Sequence, residues 1–178
     1  TADGRVPILA GAGTNDTRHA VELSKIAQES GADGVLSVTP YYNKPSQKGL
    51  LQHYDQVLKA INIPLVLYNV PSRTSLNMEV STVAELSQYP GVIGLKDASG
   101  NLEQTMCLLE LEPDFLILSG DDAITLPMIA IGAQGVISVA SNVIPAEMSS
   151  LVKAAREGDS KTANGLHYRY IRLMDVLF

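Results

Sequence analysis

Six short apolar runs, rich in Val, Ile and Leu, recur along the chain, and Gly, Pro, Asn or Asp bounds each of them. Continuous apolar runs of this length are typical of strands that are buried on both faces. The pattern therefore predicts six β-strands, within residues 6–13, 34–40, 64–71, 92–99, 115–122 and 135–141.

Amphipathic segments with apolar residues at helical spacing separate and follow these runs. Ser46, Asn101 and Asp122 stand where an N-cap is needed, and Gly31 stands where a helix would end. The pattern predicts helices over residues 17–30, 46–60, 78–88, 101–111, 122–131, 145–157 and 159–178.

Strands that alternate with helices at this spacing predict βαβ units and a parallel α/β sheet. A doubly wound sheet would carry a glycine-rich turn near its start, and "GAGTND" matches that fingerprint only in part. A (β/α)8 TIM barrel places chemistry at many strand ends, and nearly every strand here ends in polar residues. The favoured prediction is one partial TIM-barrel domain over residues 1–178, with about six of the eight units.

Composition narrows the class of protein further. Hydrophobic residues make up 46 % of the 178 positions and charged residues 18 %, as in ordered, soluble, globular proteins. A net charge of −6 without a basic run argues against nucleic acid and anionic membranes as partners. The single cysteine, Cys107, cannot build a disulfide framework, which predicts a cytoplasmic protein.

Lys96 ends an apolar strand in "GVIGLKDASG", although an ammonium group is costly to bury. In one interpretation the barrel interior favours the neutral amine, which can then attack a carbonyl carbon. In the other, the tip of the side chain reaches water past the rim of the barrel. The position alone leaves both interpretations open.

Two further side chains near this strand end suit the same chemistry. Tyr68 ends the preceding strand, and its phenol could shuttle protons for an imine; a packed tyrosine is the other interpretation. Arg73 lies just beyond that strand, and its planar fork of donors suits a carboxylate. The adjacent aromatic residues Tyr41 and Tyr42 cannot both face one core, so at least one should line a cleft or an interface.

Structural roles are predicted for the remaining candidate residues. Asp121 and Asp122 could bind a metal ion, but no histidine cluster or third acid is near, so helix capping is favoured. Cys107 lies mid-helix and is predicted to be a core residue. The three histidines are predicted to pack or to lie at the surface, namely His19, His53 and His167.

The motifs "PYYNKPSQ", "LYNVPSRT", "GLKDASGN", "LSGDD" and "GVISV", in this order, resemble the dihydrodipicolinate synthase family. This family belongs to the pyruvate-dependent class I aldolases, as does N-acetylneuraminate lyase, and the resemblance covers essentially the whole chain. It implies a lyase that condenses pyruvate with L-aspartate 4-semialdehyde to 4-hydroxy-tetrahydrodipicolinate, in lysine and diaminopimelate biosynthesis. It implies no metal and no organic cofactor.

The resemblance also implies roles for individual residues. Lys96 would form the Schiff base with pyruvate, and Tyr68 would relay protons. Tyr42 would cross a dimer interface to join the neighbour's relay, which implies at least a homodimer and, by analogy, a tetramer. The implied substrate-binding positions are Arg73 for the aldehyde's carboxylate, and Gly120 and Ile137 at the pyruvate site.

The chain departs from the family pattern in ways that change the expectation. The N-terminal strand pair with its Gly-Thr-Thr-Gly-Glu motif and the C-terminal helical extension are absent, so this segment alone is expected to be inactive. The family's lysine-feedback site matches Asn15 and Tyr41, but His19 replaces an acidic residue, so strong lysine inhibition is not expected. The alternatives are another pyruvate or sugar-acid aldolase, such as N-acetylneuraminate lyase, and an inactive barrel fragment for binding or assembly.

Overall fold

One parallel sheet of six strands organises the computed structural model, which describes residues 2–111 and 114–177. The strands neighbour one another in chain order, and every pair is parallel. A doubly wound sheet would reverse its strand order at a switch point, so this order excludes that architecture. The strands are β1 (Leu9–Gly11), β2 (Gly34–Val38), β3 (Leu65–Asn69), β4 (Val92–Asp97), β5 (Leu116–Ser119) and β6 (Gly135–Val136).

Each predicted helix is present, and two short turns of helix add to them. The helices are α1 (Thr17–Glu29), α2 (Gln47–Leu58), α3 (Pro71–Thr74), α4 (Val80–Ser87), α5 (Leu102–Leu109), α6 (Thr125–Ala130), α7 (Pro145–Arg156) and α8 (Ser160–Val176), with a 3-10 turn over Ala140–Asn142. Helix α3 was not predicted because four residues are too few to show a helical period. It begins at Pro71 and ends at Thr74, and the next residue, Ser75, has a left-handed φ of 59°.

Three of the four predicted helix ends are confirmed. The Ser46 hydroxyl accepts a hydrogen bond from the Gly49 N–H, and the Asn101 side chain caps α5 in the same way. Gly31 follows α1 with a φ of +84°. The prediction for Asp122 is wrong: α6 begins only at Thr125, and the Asp122 carboxylate binds a different segment, described below.

The two faces of the sheet differ in burial. Alternate strand residues point to opposite faces, and Leu67, Leu95 and Ile117 are side-by-side partners on the face that the helices cover. All three are fully buried, and they share a core with residues from α1, α2, α4, α5 and α6. The opposite face is partly open, because Leu9 is 38 % and Leu116 is 39 % exposed. That open face also carries Lys96.

A second apolar cluster lies beyond β6. It joins the 3-10 turn, α7 and α8 through Ala140, Met148, Leu151 and Met174. It fixes the segment after β6, and this segment contacts the site described below. Within residues 2–111 and 114–177, no helix has the length and apolar character that a membrane span requires.

The prediction for Cys107 is wrong, and those for the histidines are confirmed. Cys107 is exposed, because α5 turns Thr105 and Leu108 towards the core and leaves position 107 on the outer side. His53 and His167 are buried, whereas His19 lies at the surface.

Candidate active site

Lys96 lies near the C-terminal end of β4, side by side with Tyr68 at the end of β3. Its Nζ atom lies 4.1 Å from the centre of the Tyr68 ring, within the range of a cation–π contact. The lysine is only 8 % exposed. This arrangement favours the interpretation in which the amine is held inside the protein over the one in which it reaches water.

The surroundings of Lys96 favour its neutral form. Burial lowers the pKa of the Lys96 amine from its usual value, and the negative charge of Asp122 opposes this effect. A lowered pKa raises the fraction of neutral amine at a given pH, and the neutral amine is the nucleophile. Burial raises the pKa of the Tyr68 phenol, with the Arg73 cation opposing it, so the phenol keeps its proton.

Gly120 stands where the Lys96 side chain must pass. A Cβ atom at position 120 would lie 2.8 Å from the Ala98 Cβ and 3.0 Å from the Lys96 Cε, closer than ordinary packing allows. The glycine therefore leaves room for the lysine stem. Ile137 lies at the same end of the sheet, because its N–H donates to the Ser119 carbonyl at 2.9 Å. The structure thus brings positions 120 and 137 to the strand end next to Lys96.

A cavity of about 400 Å³ opens beside Tyr68 on the partly open face of the sheet. Its lining is mostly apolar, with Tyr68, Arg73 and Thr74 as the polar exceptions on the β3 side. The cavity is lined by Gly11, Gly13, Leu36, Val38, Tyr41, Tyr68, Val70, Arg73 and Thr74. Pockets of this kind, mostly apolar with a few converging polar groups, are typical of small-molecule sites.

The remaining predicted positions lie in the two loops that follow β1 and β2, except His19, which lies in α1. The Asn43 side chain donates to the Asn15 carbonyl at 2.9 Å and so ties these loops together. Tyr41 reaches the cavity, which confirms the prediction for the pair. Tyr42 is 88 % exposed and has a left-handed φ of 74°. His19, on α1, contacts Glu22 and not the cavity lining.

A buried polar network on the helix-covered face of the sheet was not predicted from the sequence. Asn69 and Asp97 follow Tyr68 and Lys96 directly, so they point to the helix-covered face. The Asn69 amide donates to Asn77 at 2.9 Å and to the Asp97 carboxylate at 3.4 Å. The dipeptides "YN" and "KD" were the available signal, since a polar residue at a buried strand position needs a partner. The network fixes the strand ends that orient Tyr68 and Lys96.

The two acidic side chains after β5 bind different backbone segments. One Asp121 oxygen accepts from the Ala123 N–H at 2.9 Å, which forms a tight turn before α6. Among residues 2–111 and 114–177, no group of three or more His, Cys, Asp or Glu side chains could hold a metal ion.

Comparison with known proteins gives consistent matches along the whole chain. The profile described as the "Dihydrodipicolinate synthetase family" matches residues 1–178. A protein of Persephonella marina named 4-hydroxy-tetrahydrodipicolinate synthase is 49 % identical over 99 % of this chain and 61 % of its own length. This chain therefore spans about three fifths of the length of the curated relatives it matches.

Solved structures agree with the sequence matches. The crystal structure of dihydrodipicolinate synthase from Aquifex aeolicus superposes with a TM-score of 0.96 at 45 % identity, over 99 % of this chain and 61 % of that one. The enzyme from Acinetobacter baumannii, solved in complex with pyruvate, superposes with a TM-score of 0.95 at 42 % identity, over 99 % and 61 % of the two chains. The six-stranded parallel sheet is thus the half-barrel found in these proteins.

Proposed function

Because the chain belongs to the dihydrodipicolinate synthetase family, we propose that it carries the Schiff-base lysine of a 4-hydroxy-tetrahydrodipicolinate synthase. Such a lyase condenses pyruvate with L-aspartate 4-semialdehyde in lysine and diaminopimelate biosynthesis. The observation that carries the proposal is the buried Lys96 amine held against the Tyr68 ring. The pyruvate complex of the Acinetobacter baumannii relative supports pyruvate as the first substrate.

Imine formation follows from the state of the Lys96 amine. The neutral amine attacks the keto carbon of pyruvate; the nitrogen gives up one proton and the keto oxygen takes up one, which gives a neutral carbinolamine. A second proton lets that oxygen leave as water, and a cationic imine remains. We assign these transfers to the Tyr68 phenol, which burial keeps protonated beside the amine.

Carbon–carbon bond formation uses the imine as an electron sink. Loss of a proton from the pyruvate methyl group gives a neutral enamine. The enamine carbon then attacks the aldehyde carbon of the second substrate, and the aldehyde oxygen becomes a hydroxyl group after taking up a proton. Gly120 supports this scheme because it leaves space against the lysine stem, and Ile137 would line the pyruvate side.

Arg73 is proposed to bind the carboxylate of the aldehyde substrate. It lies in α3, directly after β3, and lines the same cavity as Tyr68. Its fork of donors can bind a carboxylate with two parallel hydrogen bonds, as a neutral amide cannot.

The substitution Arg73→Gln should raise the KM for the aldehyde by about 10- to 100-fold, from the loss of a charge-assisted hydrogen bond. Pyruvate trapping at Lys96 should keep its normal rate, because the carboxylate that Arg73 is proposed to bind belongs to the second substrate. Steady-state kinetics with each substrate varied in turn measures both. The exposed Arg18→Gln is the matched control. An unchanged KM for the aldehyde would show that Arg73 does not bind this substrate.

The complete enzyme is proposed to be a closed (β/α)8 barrel in a single domain. Among the described strands, β1 and β6 each pair on one side only, and the face that carries Lys96 is partly open. Two further strands between β6 and β1 would complete the ring and cover that face. We propose that activity requires this closure and that the enzyme is a cytoplasmic homo-oligomer in which the exposed Tyr42 meets a neighbouring subunit.

Borohydride trapping tests the proposal, with the full translated polypeptide that contains residues 1–178 as the sample. With pyruvate, we expect a reduced adduct at Lys96 by peptide mass spectrometry. Turnover should follow with aspartate semialdehyde and not with N-acetylmannosamine, which separates the synthase from a sugar-acid lyase. An adduct without turnover on either aldehyde would favour a binding role, and no adduct would refute the proposal.

A further inference from the structure

Asp122 is a buried acid that the scheme above does not use. It is 1 % exposed and lies two residues after Gly120. One carboxylate oxygen, Oδ2, accepts hydrogen bonds from the backbone N–H groups of Val139 and Ala140, at 3.0 Å and 2.8 Å. These bonds join the end of β5 to the turn after β6, beside Ile137.

The other oxygen, Oδ1, is buried and accepts no hydrogen bond from any residue that the structure describes. An unpaired buried acceptor is costly, and for an ionised group the cost is higher. Holding the turn needs only Oδ2, so the turn does not account for a second buried oxygen. The negative charge of Asp122 acts on the Lys96 amine, and the aliphatic stem of the lysine side chain packs against Gly120.

The other groups around the Lys96 amine cannot supply a counter-charge. Tyr68, from β3, is a neutral phenol, and Arg73 after β3 is itself a cation. Asp97, the next residue on β4, points to the opposite, helix-covered face of the sheet, where its oxygens accept hydrogen bonds from Ser99 and Thr105. Of these groups around the amine, only Asp122 combines a negative charge with an unused oxygen.

We propose that Asp122 is a positioning residue whose carboxylate serves as the counter-charge of the cationic imine on Lys96. The inference rests on the proposed Schiff-base function and adds the group that stabilises its charged intermediate. The Oδ2 bonds hold the carboxylate in place and leave Oδ1 as a buried acceptor with no hydrogen bond from the described residues.

The counter-charge has opposite consequences for the amine and the imine. Above the pKa of the amine, imine formation consumes a proton and creates a cation in a buried site. A nearby carboxylate favours that cation, so pyruvate stays bound as imine to higher pH. In the free enzyme the same carboxylate opposes deprotonation of Lys96. Asp122 therefore lowers the fraction of neutral amine in the free enzyme and stabilises the cationic imine.

The test is the pH profile of imine formation in Asp122→Asn, again with the full translated polypeptide. The asparagine carbonyl can still accept both backbone N–H groups, so the turn is kept while the charge is removed. The equilibrium fraction trapped by borohydride at fixed pyruvate is measured between about pH 6 and pH 10. We expect the alkaline limb to move down by about one pH unit or more.

The controls separate charge from structure. Asp121→Asn changes a carboxylate that only forms the turn before α6, and its profile should match the wild type. Asp122→Ser also removes the charge and is interpreted in the same way if the asparagine variant does not fold. A uniform loss of trapping without a shifted limb would show that Asp122 only holds the turn, and would overturn the inference. Absence of trapping in the wild type would instead refute the Schiff-base function itself.

Discussion

Replacement of Lys96 by methionine should abolish imine formation with pyruvate and lower turnover by at least about 10⁴-fold. Methionine keeps an unbranched, apolar stem that fits past Gly120, but it has no amine to attack the keto carbon. The side chain is only 8 % exposed, so the replacement also removes the desolvation cost of a buried cation. The fold should therefore become more stable while the chemistry is lost.

Peptide mass spectrometry after borohydride reduction and a thermal melt measure these two effects. Lys96→Arg is the companion variant, because it keeps a positive charge and cannot form the imine. The exposed Lys25→Met controls for the general loss of a lysine. A Lys96→Met protein that kept more than a small fraction of wild-type turnover would end the aldolase interpretation, whatever its stability.

The architecture could be predicted from sequence because each strand is a continuous apolar run with polar residues at its end. Burial on both faces leaves such a run few alternatives to a parallel α/β sheet. The amphipathic segments between the runs set the helices, and local capping chemistry set the ends at Ser46 and Asn101. The consecutive strand order, by contrast, was only favoured by the pattern, and the ladder pairing decided it.

The parts that sequence could not supply depend on contacts between distant segments. Asp122 is a residue type that often caps a helix and stands just before one. Its carboxylate nevertheless binds Val139 and Ala140, seventeen and eighteen positions away. Cys107 lies in α5 and is exposed to solvent, because exposure at this position depends on how α5 is oriented on the sheet. The sequence places Lys96 and Tyr68 at the ends of successive strands, but only the folded structure shows the amine against the face of the ring.

Tyr68→Phe should lower turnover by about 10²- to 10³-fold and leave the Lys96 adduct with pyruvate detectable. Phenylalanine keeps the ring face on which the amine lies, 4.1 Å from its centre, so the surroundings of the nucleophile hardly change. The variant loses only the phenol that transfers protons as the carbinolamine forms and loses water. Proton transfer should then limit the rate, and imine formation should slow from a fast step to one that a trapping time course resolves.

Tyr54→Phe is the matched control for the loss of a buried phenol. The Tyr54 hydroxyl donates to the Ser37 carbonyl at 3.2 Å on the helix-covered side of the sheet, away from the cavity. Its loss should cost about 1 kcal/mol of stability and leave turnover per folded molecule unchanged. If Tyr68→Phe lowered stability but not the trapping rate, Tyr68 would be a packing residue. The proton relay would then belong to another group, while the amine of Lys96 remained the nucleophile.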